Sequence, residues 1–314
     1  MNVLVIGGTR FMGARAVDML SAAGHKLACF HRGEGAGNVT SDVIHLRGDR
    51  NDLPAHAAAL RAFGPDIVLD MVALTERHAS DLVETFRGHA KRLVVVSSMD
   101  VYRAYGRLIG SEPGPPDPIP ISEDGPLRER LYPYRTDPPD KQAPAWAQDY
   151  DKILVERGVS GAPDLPATIL RMPAVYGPND GQHRVKPYLD QMDGGAAEIA
   201  LPAAQAAFLW SRTYVDNAAQ AICAAATDER ASGRTYNVAE PGTPTEAEWV
   251  RLIGEAAGWT GPIRLDAAPD PDDPSDYSHH LVADSARIRR ELGYAEAVPV
   301  REAIRRTVEW ERRP

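Results

Sequence analysis

The chain has 314 residues, a net charge of −9 and an apolar fraction of 43%. That apolar fraction sustains a core for one large α/β unit or two coupled lobes and excludes a disordered chain. The acidity opposes nonspecific binding to nucleic acid. No apolar run approaches the roughly 20 residues that span a bilayer, and the absence of C-x-x-C and H-E-x-x-H spacings leaves no metal site to expect.

Asn2 to Ile6 is an unalternated apolar run, the pattern of a strand buried on both faces of a parallel sheet. Because a core strand stands this early, no leader peptide is expected, and the cytoplasm is the expected compartment. Gly7-Gly8 end the strand, and a helix follows Gly13 with Ala16, Val17, Leu20 and Ala23 on one side. Strand, glycine turn and helix in this order begin a dinucleotide site, where backbone N–H groups approach a pyrophosphate at a helix N-terminus. Gly24-His25-Lys26 stops the helix, and Leu27 to Phe30 is the second strand, with Cys29 reading as a buried thiol, as does Cys223. At the tip of such a strand an acid binds the free ribose 2′-hydroxyl and an arginine accommodates a 2′-phosphate. Arg32 stands there and Arg10 can reach the same region, which favours NADP, while Glu34 keeps NAD open; both arginines also read as solvated surface residues.

Val43 to Leu46 is a third strand, followed by Gly48-Asp49-Arg50 and a helix near Ala55 to Phe63. Asp66 to Val72 is the fourth strand, a helix runs from about Thr75 to Phe86, and Arg92 to Val96 is the fifth strand, opening into Ser97-Ser98. A hydroxyl at the carboxyl end of a parallel strand faces the crevice where ligands bind. Residues 103–149 carry too many prolines for long helix; this irregular stretch reads as a wall or lid over a substrate, or as a surface loop. A helix is expected across Trp146 to Glu156, and Ala167 to Met172 is the sixth strand. These elements predict an α/β protein with a Rossmann-type doubly wound parallel sheet and a smaller C-terminal substrate-binding lobe. Residues 1–177, with 206–240 returning, form the cofactor domain, and 178–205 with 241–314 form the lobe.

The motifs along the chain read GGTRFMG at Gly7–Gly13, SSMDVY at Ser97–Tyr102, LRMPAVYGP at Leu170–Pro178, RTYVDN at Arg212–Asn217 and YNV at Tyr236–Val238. Their order resembles the extended short-chain dehydrogenases/reductases, the NAD-dependent epimerase/dehydratase family. The family's T-G-x-x-G-x-x-G turn is matched with Arg10 in place of its middle glycine. The resemblance implies a cofactor held by Gly7, Thr9, Arg10, Phe11, Met12 and Gly13, with Arg32, Asp49, Arg50, Met71, Val72, Ala73, Ser97, Pro173 and Val175 around it. Asp49 would meet the adenine amino group or cap a turn.

The resemblance also implies that Ser98 is the catalytic hydroxyl and that Lys152 binds the nicotinamide ribose. Asp100 stands where the family's nucleotide-sugar dehydratases carry an acid/base carboxylate, or else is a cap or loop residue. The family's Tyr-x-x-x-Lys places both side chains on one helical face; here the tyrosine position is Gln148. Tyr150, which helical geometry would put on the opposite face, Tyr134 from an insertion, or no tyrosine at all remain the alternatives. Tyr102, Gln148, Tyr176, His183 and Arg212 are the expected substrate contacts. Ala174, where nucleotide-sugar enzymes often carry Asn, counts against a nucleotide-sugar substrate. The expected activity is NAD(P)-dependent hydride transfer at a carbonyl or carbinol carbon of a small-molecule or sugar-like substrate, as oxidoreductase or epimerase/dehydratase. The alternatives are a cofactor-binding protein without hydride chemistry (a redox sensor or scaffold) and a non-redox isomerase. A homodimer stays open.

Overall fold

The structure, a computed structural model, describes residues 1–314 except 34–38, 40, 41, 139–142, 145, 272 and 314. Glu34, the acid that kept NAD open, lies outside the described residues. The strands are β1 (Asn2–Ile6), β2 (Lys26–His31), β3 (Ile44–Arg47), β4 (Ile67–Asp70), β5 (Arg92–Ser98), β6 (Ala167–Met172), β7 (Ala174–Tyr176), β8 (Ile199–Ala200), β9 (Arg212–Tyr214), β10 (Thr235–Asn237) and β11 (Ile263–Arg264). The helices used below are α1 (Phe11–Ala22), α2 (Ala57–Ala62), α3 (Glu76–Phe86), α4 (Arg103–Leu108), α5 (Lys152–Ser160), α6 (Lys186–Asp193), α7 (Ala203–Ala207), α8 (Val215–Thr227), α9 (Glu246–Ala257), α10 (Ala286–Leu292) and α11 (Val300–Glu311).

Seven strands form one sheet in the order β10-β6-β5-β4-β1-β2-β3, with every neighbouring pair parallel. Side chains of a strand alternate between faces. Val3 and Val5 therefore join the layer of α1 and α8, while Leu4 and Ile6 join the layer of α3 and α5. Both faces are covered, which is why β1 carries no polar alternation. Strand order departs in opposite directions from the β1/β4 pair, β2 and β3 to one side and β5, β6 and β10 to the other. That switch point leaves a crevice at the carboxyl ends of β1 and β4. On the far side α6, α7, α9 and α11 pack together, with the short pairs β8·β11 and β7·β9 beside them. No helix among the described residues is long and apolar enough to cross a membrane.

The helix predicted across Trp146 to Glu156 begins only at Lys152. Asp151 is its N-cap, in extended conformation, and its carboxylate accepts the Ile153 N–H at 2.8 Å. Residues 150–151 run instead as an extended segment beside the end of β4. Tyr150 bridges Thr75 in antiparallel fashion, and Asp151 N donates to Leu74 O at 3.0 Å. An aspartate at the cap satisfies an otherwise orphaned first-turn N–H, so the helix starts where that carboxylate sits.

Candidate active site

The glycine turn is tight enough to exclude side chains at its key positions. Gly7 sits at φ +81°, and a Cβ there would lie 2.8 Å from a Val72 methyl. A Cβ on Gly13 would lie 2.8 Å from Gly7 O and 3.0 Å from the Gly8 Cα. Arg10, the residue in place of the middle glycine, has φ −137° and ψ 154°, extended backbone that any residue adopts. The side chain of Arg10, the N-cap of α1, makes no cap hydrogen bond, and a helix N-terminus at the crevice favours an anion. A cavity of about 350 Å³ opens there, lined by Gly7, Thr9, Arg10, His31, Arg32, Asp49, Arg50, Val72 and Trp146 among others. The uncapped helix end, the glycine cradle and the arginines of this cavity fit a dinucleotide.

At the end of β2, Gly33 N donates to His31 Nδ1 at 3.0 Å, and His31 Nε2 lies 2.9 Å from His45 Nδ1. With Nδ1 accepting, the proton sits on Nε2 and is donated to His45. Burial first, then His45 and Arg47, lower the His31 pKa, so a neutral ring fills the strand end where an acid would read a 2′-hydroxyl. Arg32 is exposed beside it. At the end of β3, Asp49 turns its carboxylate onto Asn51 N at 2.8 Å, as a cap. Arg50 folds under the cavity, bonding Asp70 at 2.9 Å and His78 O at 2.6 Å. Its third nitrogen, Nη1, is buried without a partner among the described residues. Asp70 also accepts Val72 N at 2.9 Å, which fixes the backbone of Met71–Ala73 along the crevice.

The reactive end gathers around the carboxyl end of β5. Lys152 is buried, and its ammonium donates to Ala73 O at 2.6 Å and Val96 O at 2.8 Å. Burial lowers its pKa to about 8, against the opposing pull of Asp100 and Asp70. The Tyr150 hydroxyl donates to Asp100 Oδ2 at 2.6 Å. Ser98 Oγ accepts Asp100 N at 3.2 Å. Tyr134 donates to the same Asp100 oxygen at 3.4 Å. Burial pushes the Tyr150 phenol well above its usual range, and the Asp100 carboxylate adds to that. Burial likewise raises the Asp100 carboxyl, opposed by the Tyr150 hydrogen bond and by Arg128 and Lys152. Ser98, Asp100, Tyr134, Tyr150 and Lys152 are thus brought together.

Other expected site residues are committed elsewhere. Tyr102 is fully buried, donating to Asn237 Oδ1 at 2.7 Å and accepting from Arg171 at 3.0 Å. Ser97 alternates away from Ser98 and donates to Glu156 at 2.6 Å, part of a buried network closed by the Arg171–Glu156 ion pair at 2.7 Å. Tyr176, fully buried, donates to Glu240 at 3.2 Å. Arg212 pairs with Glu246 and sits 4.4 Å from the Trp249 ring centroid. His183 bonds Glu311 at 2.8 Å and stacks on Trp310. Gln148 reaches Thr136 at 3.3 Å. Tyr102, Tyr176, Arg212, His183 and Gln148, the expected substrate contacts, each make one of these internal polar contacts. Pro173 precedes β7 and Val175 lies within it, with Val175 O accepting from Arg184 at 2.8 Å. Both cysteine thiols are free and pushed up to about 12 by burial, although Cys223 is only half-buried by exposure. Among the described residues no group of His, Cys, Asp and Glu side chains is placed to hold a metal ion.

A family model for the NAD dependent epimerase/dehydratase family matches residues 3–239. The chain belongs to that family. It is 28% identical over 248 residues to 2'-dehydrokanamycin reductase of Streptomyces kanamyceticus, covering 76% of this chain and 62% of that protein. It is 27% identical over 114 residues to the chloroplast stem-loop binding protein of 41 kDa b of Arabidopsis thaliana, 32% of this chain and 30% of that one. The matches therefore span less than two thirds of either relative's length. The fold superposes on the UDP-glucose 4-epimerase of Thermus thermophilus in complex with NAD, with TM-score 0.73 and 23% identity over 99% of both chains. Within this epimerase/dehydratase frame, sequence reasoning missed Asp151, Trp146, His78 and Tyr105. Of these only Asp151 left a signal, as an aspartate directly before an apolar helical pattern.

Proposed function

We propose that this chain is an NADP-dependent enzyme that moves hydride at a carbonyl or carbinol carbon of a small, sugar-like molecule. The observation that carries the reading is the convergence of Tyr150, Ser98 and Lys152 at one strand end, although the family's helical Tyr-x-x-x-Lys spacing is absent. Tyr150 reaches its place from an extended segment. In the reductive direction the bound nicotinamide supplies the hydride. Tyr150, kept protonated by its surroundings, gives its proton to the substrate oxygen. Ser98 orients that oxygen by hydrogen bond. Lys152 spends two of its three N–H donors on Ala73 O and Val96 O; the third is left to hold a ribose hydroxyl. Arg32 and Arg10 at the mouth of the cavity and a neutral His31 in place of an acid support a 2′-phosphate. The relative named 2'-dehydrokanamycin reductase supports a sugar-like carbonyl substrate; Ala174 weighs against a nucleotide sugar.

The test is loss of absorbance at the reduced-nicotinamide band with NADPH and a panel of keto-sugars and dicarbonyls. Tyr150→Phe should lower the rate by about 10²–10⁴-fold, and Lys152→Ala should abolish it. Commitment of two Lys152 donors to the main chain favours one competing reading, a cofactor-binding protein without hydride chemistry. Tight NADPH binding with no turnover of any carbonyl would establish that reading instead.

A further inference from the structure

We propose that Asp100, Tyr134 and Tyr105 form a proton relay that connects the buried Tyr150 hydroxyl to solvent, with the Asp100 carboxyl as the shared proton store. The inference rests on the reading of Tyr150 as proton donor. Tyr150 is 7% exposed and Asp100 5%, so neither exchanges directly with bulk water. A contiguous chain of hydroxyls leads outward from them. Tyr150 Oη lies 2.6 Å from Asp100 Oδ2, Tyr134 Oη lies 3.4 Å from the same oxygen, and Tyr105 Oη lies 2.9 Å from Tyr134 Oη. Tyr134 and Tyr105 are half-buried, each more exposed than Tyr150 and Asp100, so the chain runs from the buried pair towards the outside.

The other groups facing Asp100 do not compete for this role. Arg128 donates its Nε to the Asp100 main-chain oxygen and its Nη2 to Asp151, not to the Asp100 carboxylate. Lys152 on α5 uses main-chain acceptors, and Ser98 on β5 bonds Asp100 N. Asp100 Oδ1 is buried without a partner among the described residues. An ionised carboxylate with one orphaned oxygen costs more to bury than a protonated carboxyl does.

The step balances in the reductive direction. A bound reduced nicotinamide would supply the hydride for the carbonyl carbon; as the C=O π bond breaks, the oxygen takes the Tyr150 proton. Tyr150 regains a proton from the Asp100 carboxyl. Asp100 is refilled from Tyr134, Tyr134 from Tyr105, and Tyr105 from water, so each alcohol formed consumes one hydride and one solvent proton. Oxidation runs the same chain backwards.

The test needs no substrate. Infrared spectroscopy of the whole chain at pH 7 should show a protonated-carboxyl stretch that Asp100→Asn removes. On rapid transfer to D2O that band shifts as the proton exchanges. Tyr134→Phe and Tyr105→Phe, which keep the rings and their packing, should each slow the shift by about tenfold. A spectrum without an Asp100-dependent band, or exchange unchanged in both variants, overturns the relay. A second arm follows NADPH oxidation with 9,10-phenanthrenequinone and the solvent deuterium isotope effect on kcat, which Tyr134→Phe should raise while NADPH affinity stays unchanged. Intact infrared behaviour without turnover of the quinone or of any carbonyl in the panel would overturn the hydride-transfer reading and leave the relay standing.

Discussion

The end of the crevice proposed to take the adenosine is assembled mostly from segments directly attached to the sheet: the turn after β1, the tips of β2 and β3, and the loop after β4. The reactive end is assembled differently. Ser98 ends β5 and Asp100 follows it directly; Tyr134 and Tyr150 come from the segment between α4 and α5 and meet on the Asp100 carboxylate, and Tyr105 on α4 bonds Tyr134. The first region needs particular backbone conformations and so constrains residue types locally, as at Gly7 and Gly13. The second needs a long segment to be pinned in one place. Asp151 supplies the pin. It caps α5, accepts Tyr132 N at 2.6 Å and faces Arg128 at 3.4 Å, both side chains being fully buried.

The comparison breaks most visibly at that pin. Asp151→Ala removes the cap and leaves the Arg128 guanidinium buried without a counter-charge, so the chain should lose about 3–5 kcal/mol of stability. Chemical denaturation measures it. Tyr150 would lose its position at the same time, and carbonyl reduction should fall further than NADPH affinity. Equal loss of both would mean that the two ends are not independently built.

Lys152 stands between the regions, with one acceptor after β4 and the other on β5. Its folded pKa of about 8 lies below the ordinary lysine value. Between those two values the unfolded chain binds the extra proton, so stability rises with pH through that window, and the gain is lost progressively as pH falls back to about 8. Lys152→Met should remove about 3 kcal/mol of this pH dependence. In the wild type, NADPH affinity should weaken above about pH 8 as the ammonium loses its charge, and isothermal titration of the variant should show no such inflection.

How much of this was legible in the sequence follows the same division. The βα crossing at Asn2–Ala22 and the strands through Met172 could be read because apolar runs buried on both faces and glycine punctuation are local signals. The family motifs located Ser98 and Lys152 at the strand end where the structure gathers its reactive groups. The tyrosine could not be placed, since a rule for helical faces was applied to a residue that lies in extended backbone. Tyr102, Tyr176 and Arg212 were legible as motif residues but not as core residues, because their partners Asn237, Glu240 and Glu246 lie 34 to 135 positions away. Arg10 in the glycine turn was the opposite case: an apparent departure that ordinary φ/ψ angles absorb.

Smaller effects sharpen the adenosine end. Arg32→Ala should cost roughly 1.5–3 kcal/mol of NADPH affinity, about 10–100-fold, with NADH affinity unchanged, because a charge-assisted contact to a 2′-phosphate is lost only with NADPH. Competitive titration of the two cofactors measures the ratio. A parallel loss for both would return Arg32 to the solvated surface.

Trp146 is the smallest and most discriminating case, since it belongs to both regions. It is 43% exposed, lines the adenosine-side cavity, and packs its ring 5.4 Å from Tyr150 and 6.3 Å from Tyr134. Trp146→Phe keeps an aromatic edge there but removes contact area, so NADPH affinity should drop by about 0.5–1 kcal/mol, or roughly 2–5-fold. Because the same ring braces Tyr150, kcat for carbonyl reduction should fall by a similar factor. The effect would be separable by measuring Kd from NADPH fluorescence and kcat at saturating cofactor. A change in Kd alone would confine the indole to the cofactor side and leave the tyrosines held by Asp151 and Asp100, whereas a change in kcat alone would make it part of the pinned segment.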